Sequence, residues 1–165
     1  MSKTIAFFIV IVFVIANGFW QSQIYSAKAE HYKTQKFDVA IFPANYIDLI
    51  ASPENSFTPT KTEIDRAELY LRSHLKEANN DLINQSSTPI IHRKLKKYKR
   101  QYFGYIDKNG DRILLINCFW SKNKSDSEIW LRNRIIVNDG GSYYWNIKFN
   151  LDKNALFELV VNGYS

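Results

Sequence analysis

The chain reads as an α+β protein: one amphipathic helix packed on a curved antiparallel meander sheet of four to five strands, preceded by a hydrophobic N-terminal signal or anchor helix. Three observations predict it. Residues 5 to 20 (IAFFIVIVFVIANGFW) carry no charged side chain. Between Ile64 and Leu82 apolar residues recur at three- and four-residue steps, the pattern of a helix with one buried stripe. From Tyr98 onward the apolar period falls to two, the signature of strands.

The N-terminal run has two readings. As a helix, Ile5 to Trp20 measures roughly 24 Å, a little short of a hydrocarbon core of about 30 Å. As the apolar region of a secretory signal it is slightly long. Ala27-Lys28-Ala29 is a small-x-small site before Glu30, with Ala16-Asn17-Gly18 a poorer alternative. Lys3 precedes the run and Lys28, Lys33 and Lys36 follow it, so charge gives little orientation signal. Either reading puts the remaining chain outside the cytosol. It is periplasmic or secreted if cleaved after Ala29, and a single-pass anchored protein if Ile5 to Trp20 stays in the membrane. The chain divides into residues 1–29, signal peptide or membrane anchor; 30–57, a lead-in with one short strand; and 58–165, a single α+β domain.

In the lead-in, Phe37, Val39 and Ile41 alternate with Asp38 and Ala40 until Pro43, a half-buried or edge strand. Asp48 to Phe57 is punctuated by Ser52-Pro53 and reads as loop. The helix starts near residue 59, with Thr58 before Pro59 or with Thr60-x-x-Glu63 as a capping box. Ile64, Ala67, Leu71, Leu75, Ala78 and Leu82 form its stripe, with His74 at the stripe's border, and it ends between Asn79 and Asn84. Asp107-Lys108-Asn109-Gly110-Asp111 then marks a hairpin between a strand holding Tyr98, Tyr102 and Ile106 and one running from Ile113 to Trp120. The second of these is apolar on both parities and is therefore central. Ser121 to Glu128 is a polar loop, Ile129 to Val137 a third strand, and Asp139-Gly140-Gly141 a turn. In the fourth strand Tyr143, Trp145, Ile147, Phe149 and Leu151 face one way. In the fifth, Phe157, Leu159 and Val161 do.

The composition restricts the chemistry. The chain has 22 Lys and Arg against 16 Asp and Glu, a formal net charge of +6, and one cysteine. Cys118, in an apolar strand with no intramolecular partner, reads as a buried small hydrophobe. No nucleophile elbow, zinc-binding H-E-x-x-H or glycine-rich phosphate loop is present, so no catalytic residue, metal or cofactor is assigned. The acidic hairpin 107–111 starts like a calcium loop but has Arg112 where that loop needs glycine and Cys118 where it needs a bidentate Glu.

Two surface features remain as candidate sites. Arg93, Lys94, Lys96, Lys97, Lys99 and Arg100 make the densest charge cluster in the chain. It is either a solvated first strand whose lysines discourage edge pairing or a surface for anionic lipid or an acidic partner. Nucleic acid is not an expected partner, since an exported chain rarely meets it and no motif accompanies the run. Aromatic residues make up 15% of the chain. Trp130, Tyr144 and Trp120 are the ones to test for a groove that takes a peptide, lipid or glycan, against the alternative of core packing.

Gln101-Tyr102-Phe103-Gly104-Tyr105, Asn109-Gly110-Asp111, Ile116-Asn117-Cys118-Phe119, Trp130, Val137-x-Asp139-Gly140-Gly141, Tyr143-Tyr144 and Val161-Asn162-Gly163 together resemble the order of motifs in a group of small uncharacterised exported bacterial proteins. That resemblance implies an α+β fold and a secretory start and no catalysis. The helix-and-sheet layout is similar to the cystatin-like class, and the last hairpin to inhibitory or propeptide modules of the PepSY kind. The expected function is an exported or membrane-tethered, non-enzymatic binding module for an unknown protein, peptide or lipid partner at the cell envelope. The alternatives are a small envelope enzyme using carboxylate or Tyr residues of the concave sheet face, and a protease-inhibitory module.

Overall fold

The computed structural model describes residues 27–46, 52–120 and 128–163. The apolar run Ile5 to Trp20 and most of the polar loop Ser121 to Glu128 lie outside the described residues. Among those described, no helix is long and apolar enough to cross a membrane.

The protein is α+β, with seven strands in one sheet and two helices among the described residues. In chain order these are β1 (Glu30–Lys33), β2 (Asp38–Ile41), β3 (Ser56–Phe57), α1 (Lys61–Ala78), α2 (Ile91–Lys94), β4 (Lys99–Ile106), β5 (Arg112–Phe119), β6 (Tyr144–Asn150) and β7 (Ala155–Val161). The sheet runs β1-β2-β4-β5-β6-β7, and β3 also pairs with β4. The meander expected from Tyr98 onward is present as β4 to β7, all antiparallel. The sheet is larger than the four to five strands expected, and it is not purely antiparallel. β2 lies parallel to β4, with Val39 opposite Arg100 and Ile41 opposite Tyr102. β3 then continues along the same edge of β4, antiparallel. The lead-in segment thus contributes three strands to the sheet rather than one. β1, read from sequence as irregular, is the edge, and β2 is interior.

Local chemistry explains the best-formed elements. Thr60 accepts from the Glu63 amide while Glu63 Oε2 accepts from the Thr60 amide, a complete capping box that starts α1 at Lys61. Glu63 Oε1 also takes Arg112 Nη1 at 2.5 Å, fastening the helix start to the start of β5. Asp107 Oδ1 accepts from the amides of Asn109 and Asp111, and Gly110 adopts φ +84°, so side chain and backbone of the hairpin residues hold the turn together. A β-carbon on Gly104 would stand 2.6 Å from the Phe57 carbonyl oxygen, and glycine is what lets β3 lie against β4.

Both faces of the sheet are covered. On one, Ile64, Ala67, Leu71 and Leu75 of α1 meet Tyr102, Leu114, Ile116, Cys118, Trp145, Ile147 and Phe149. Cys118 is 1% exposed, and burial pushes its thiol well above the ordinary range. On the other face, Ala40, Phe42, Phe103, Leu115, Phe119, Trp130 and Leu131 form a second core. The segment expected as a strand over Ile129 to Val137 closes it. It is a 3₁₀ turn at Ile129–Leu131 followed by chain without regular structure. Its backbone is held by two buried amides rather than by a strand neighbour. Gln101 Nε2 donates to the carbonyls of Trp130 and Asn133, Asn117 Nδ2 donates to that of Ile135, and the Ile135 amide donates to Gln101 Oε1. These bonds do the work of a ladder, so the segment crosses the sheet instead of joining it.

β7 departs from simple alternation. Glu158 sits at φ +49°, and the register shifts between Asn146 and Lys148. This bulge puts Leu156, Leu159 and Val161 against the first core and turns Phe157 to the other face, near Lys148.

Candidate functional site: a basic pocket floored by a buried ion pair

α1 carries one acid inside its apolar stripe. Glu68 follows Ile64 by four residues and precedes Leu71 by three, so it faces the sheet with them. It is fully buried. β4 answers with Arg100 and Tyr102, two residues apart and thus on the same face. Tyr102 donates its hydroxyl to Glu68 Oε1 at 2.8 Å, and Arg100 Nε lies 3.3 Å from the same oxygen. Arg100 Nη2 donates to the Leu95 carbonyl at 2.7 Å. Arg100 is 1% exposed, yet its Nε and Nη1 have no hydrogen-bond partner, and neither has Glu68 Oε2. Arg72 Nη1 approaches that oxygen only to 3.9 Å. Desolvation raises the Glu68 carboxyl above the usual carboxylate range, more than Arg100, Tyr102 and Arg72 lower it.

A cavity of about 500 Å³ opens above this pair. Glu68, Arg100 and Arg72 line it from α1 and β4, and Lys36 reaches it from the β1–β2 turn. His92, Arg93, Lys94, Lys96 and Lys97 form the remaining wall with Leu95. Seven cations therefore share the cavity with one carboxylate. α2 and the 3₁₀ turn Leu95–Lys97 shape that wall by burying Ile91 and Leu95 and exposing the cations between them.

One histidine of the wall has a fixed protonation pattern. The Ile91 amide donates to Gln85 Oε1, which identifies that atom as the oxygen. Gln85 Nε2 then donates to Asn79 Oδ1, so Asn79 Nδ2 is the donor to both Gln85 Oε1 and His92 Nδ1. His92 must accept at Nδ1, which leaves Nε2 as its N–H. Burial, with the charges of Arg93 and Lys76, lowers its pKa and keeps it neutral.

The cationic run does not act as one surface. Arg93, Lys94, Lys96, Lys97 and Arg100 come together around the cavity, but Lys99 has the opposite strand parity and lies 4.7 Å over the Trp130 ring on the other face of the sheet. The aromatic candidates are not brought together either. Trp130 is 2% exposed in the second core, where it meets Phe119 and His31 edge-on. Tyr144 is half-buried against that same core. Trp120 is half-buried against the first, between Tyr98 and Tyr143. Glu68, Arg72, Lys36 and His92 were not singled out in the sequence. The legible signal was Glu68, an acid at a stripe position of an otherwise apolar helix face. Among the described residues no group of three or more His, Cys, Asp or Glu is placed to hold a metal ion. Comparison of the chain with protein families, characterised proteins and solved structures finds no match in any of the three.

Two outcomes follow for the floor and the wall. Arg100→Met strands a buried carboxylate and is expected to cost about 3–5 kcal/mol, whereas Glu68→Leu/Arg100→Met recovers most of that loss. Urea unfolding of the singles and the double checks it, and simple additivity would refute the pairing. His92 has a lowered folded pKa, so the unfolded chain binds its proton more readily. Its stabilising contribution is present above the ordinary histidine value of 6.5 and is lost as pH falls below it. Glu68, with a raised pKa, runs the other way, losing stability as pH rises. The His92 effect is therefore read as the difference in Tm between wild type and His92→Gln, which should shrink from pH 7.5 to pH 5.5, both about one unit from that value. A constant difference would contradict the tautomer assignment.

Proposed function

We propose that this protein is a non-enzymatic binding module of the cell envelope that holds an anionic group of its partner in the basic pocket. The reading rests on Arg100, a fully buried guanidinium with an unused donor at the floor of a cavity rimmed by six further cations. Guanidinium and lysine groups in a partly dry site bind phosphate and carboxylate strongly, because each hydrogen bond is charge-assisted. The partly enclosed walls screen the charges less than open water does.

Calorimetry with inorganic phosphate, at constant ionic strength set by sodium chloride, tests this reading. Wild type should bind and gain melting temperature, and Lys96→Ala/Lys97→Ala should weaken binding about tenfold. Absence of any phosphate-dependent heat or stabilisation up to about 10 mM would sink the proposal.

A second reading, a small envelope enzyme, is favoured by Glu68, a carboxyl with a raised pKa at the floor of a pocket. Against it, Glu68 Oε1 is already engaged by Tyr102 and Arg100. Phosphorus NMR of the protein incubated with ethyl phosphate separates the two, since release of inorganic phosphate from the ester that Glu68→Gln abolishes belongs to an enzyme.

In this proposal Ile5 to Trp20 takes the chain out of the cytosol and stays attached as an anchor. Ala29 supports retention over cleavage at its carboxyl side. It is 5% exposed in the second core, and its amide donates to the Leu131 carbonyl at 2.8 Å, contacts that a chain beginning at Glu30 lacks. Mass spectrometry of the protein from membranes should return an N-terminus ahead of Ile5. A soluble protein starting at Glu30 would overturn the tether.

A further inference from the structure

We infer that the ligand of the basic pocket is a phosphorylated polyol, whose phosphate meets Arg100 and the cationic rim while a free hydroxyl of the same molecule donates to Glu68 Oε2. The inference rests on the pocket being an anion site and adds what a bare anion does not explain. The floor offers unused donors and an unused acceptor on one ion pair: Arg100 Nη1 and Nε, the latter 3.3 Å from Glu68 Oε1 without a hydrogen bond, and Glu68 Oε2. Both groups are otherwise committed, Arg100 to Leu95 and Glu68 to Tyr102, so neither can swing away to find water-exposed partners. A buried polar atom without a partner is costly, and a ligand that satisfies donor and acceptor removes both costs at once.

The chemistry of the ligand follows by elimination. A simple monoester dianion would satisfy Arg100 but has no proton to give Oε2, and inorganic phosphate, which keeps one P–OH, brings that donor only with its own negative charge against the Glu68 carboxylate. An ammonium group would suit Glu68 but would enter a cavity shared by seven cations. A hydroxyl is neutral. It donates to a carboxylate, and it accepts where the carboxyl is protonated, which the desolvation of Glu68 favours. The excess of cations on the rim matches a phosphate monoester, which carries close to two negative charges at neutral pH. His92 adds a neutral N–H donor to the wall, suited to a hydroxyl or an ester oxygen rather than to a cation. The cavity of about 500 Å³ exceeds what inorganic phosphate fills and lies within the usual range for small organic ligands.

Calorimetry on the full chain with three probes tests the inference: inorganic phosphate, ethyl phosphate and glycerol 3-phosphate. Glycerol 3-phosphate should bind at least about tenfold more tightly than ethyl phosphate, which has the same charge and no hydroxyl. Glu68→Gln should narrow that ratio. The ligand series uses wild type alone, so it remains decisive where the core substitution fails to fold. Equal affinity for the two esters overturns the polyol inference and leaves the anion site standing. No binding of any probe, inorganic phosphate included, overturns the anion site itself. Vesicles of phosphatidylinositol 4-phosphate in phosphatidylcholine, whose headgroup carries a phosphate monoester beside free ring hydroxyls, set against free glycerol 3-phosphate at equal monoester phosphate, identify the source. Tighter binding to the vesicles assigns a lipid headgroup, and binding to the free ester alone assigns a soluble ligand, each supporting the shared chemistry.

Discussion

The contact between Glu68 of α1 and Arg100 with Tyr102 of β4 is the constraint from which the rest of the architecture follows. Apolar packing alone would hold α1 on the sheet but would tolerate rotation and sliding, because dispersion and hydrophobic burial have little directionality. A buried charge pair has strict geometry. Breaking it strands a charge in a low-dielectric interior, so it selects one helix position out of the many that bury Ile64, Leu71 and Leu75 equally well. Such a pair adds little net stability over an apolar replacement. Its consequence here is positional: with Arg100 drawn under α1, the preceding turn must wrap past the helix, and its cations gather around the mouth left above the pair.

β4 does three jobs on alternating residues. Arg100 and Tyr102 point to α1, Gln101 points to the opposite face and captures the backbone of the 130–135 segment, and Gly104 makes room for β3. Its edges are taken by β2 and β3 on one side and β5 on the other. Gln101 faces Asn117 directly across the β4–β5 ladder, and the two amides also bond to each other at 2.9 Å. The second core is thus closed by polar groups that bond to one another and to the crossing backbone, the condition under which buried amides specify a structure instead of weakening it.

What the sequence made legible were features decided within a few residues of one another. The capping box of α1, its apolar stripe from Ile64 to Ala78, the hairpin at Asp107 to Asp111 and the alternation of β6 all have local causes, and the structure carries them, whereas Leu82, read as the last member of the stripe, lies beyond the helix end and is 42% exposed. Features decided at long range were hidden. The parallel pairing of β2 with β4 depends on chain segments some sixty residues apart, and nothing in Asp38–Ile41 states its direction. The segment 129–137 has the composition of a strand and is diverted by Gln101 and Asn117, which look in sequence like ordinary polar residues on strands. Phe157 obeys alternation on paper, but the bulge at Glu158 reverses its face. The site was half visible. Its cations form one conspicuous run, yet the backbone changes from helix to strand within it, which separates Lys99 from Arg100 and brings in Lys36 and Arg72 from elsewhere.

That change of backbone also bears on why so much positive charge is concentrated there. Lysines on a strand can guard an exposed edge against pairing with another chain, a sufficient reason for a basic strand at the border of a sheet. β4 has no exposed edge along Arg100 to Gly104, and Arg93, Lys94, Lys96 and Lys97 are not on a strand at all. Edge protection therefore has nothing to act on. Solubility accounts for cations spread over a surface, but not for a guanidinium withdrawn from water with a donor left over, nor for several like charges crowded around one cavity where each raises the free energy of the next. Crowding of this kind destabilises the isolated protein and is relieved by a counter-charge. The crowding is in keeping with the proposed anion site, and the residues that line the pocket set the sign of the charge such a site would hold.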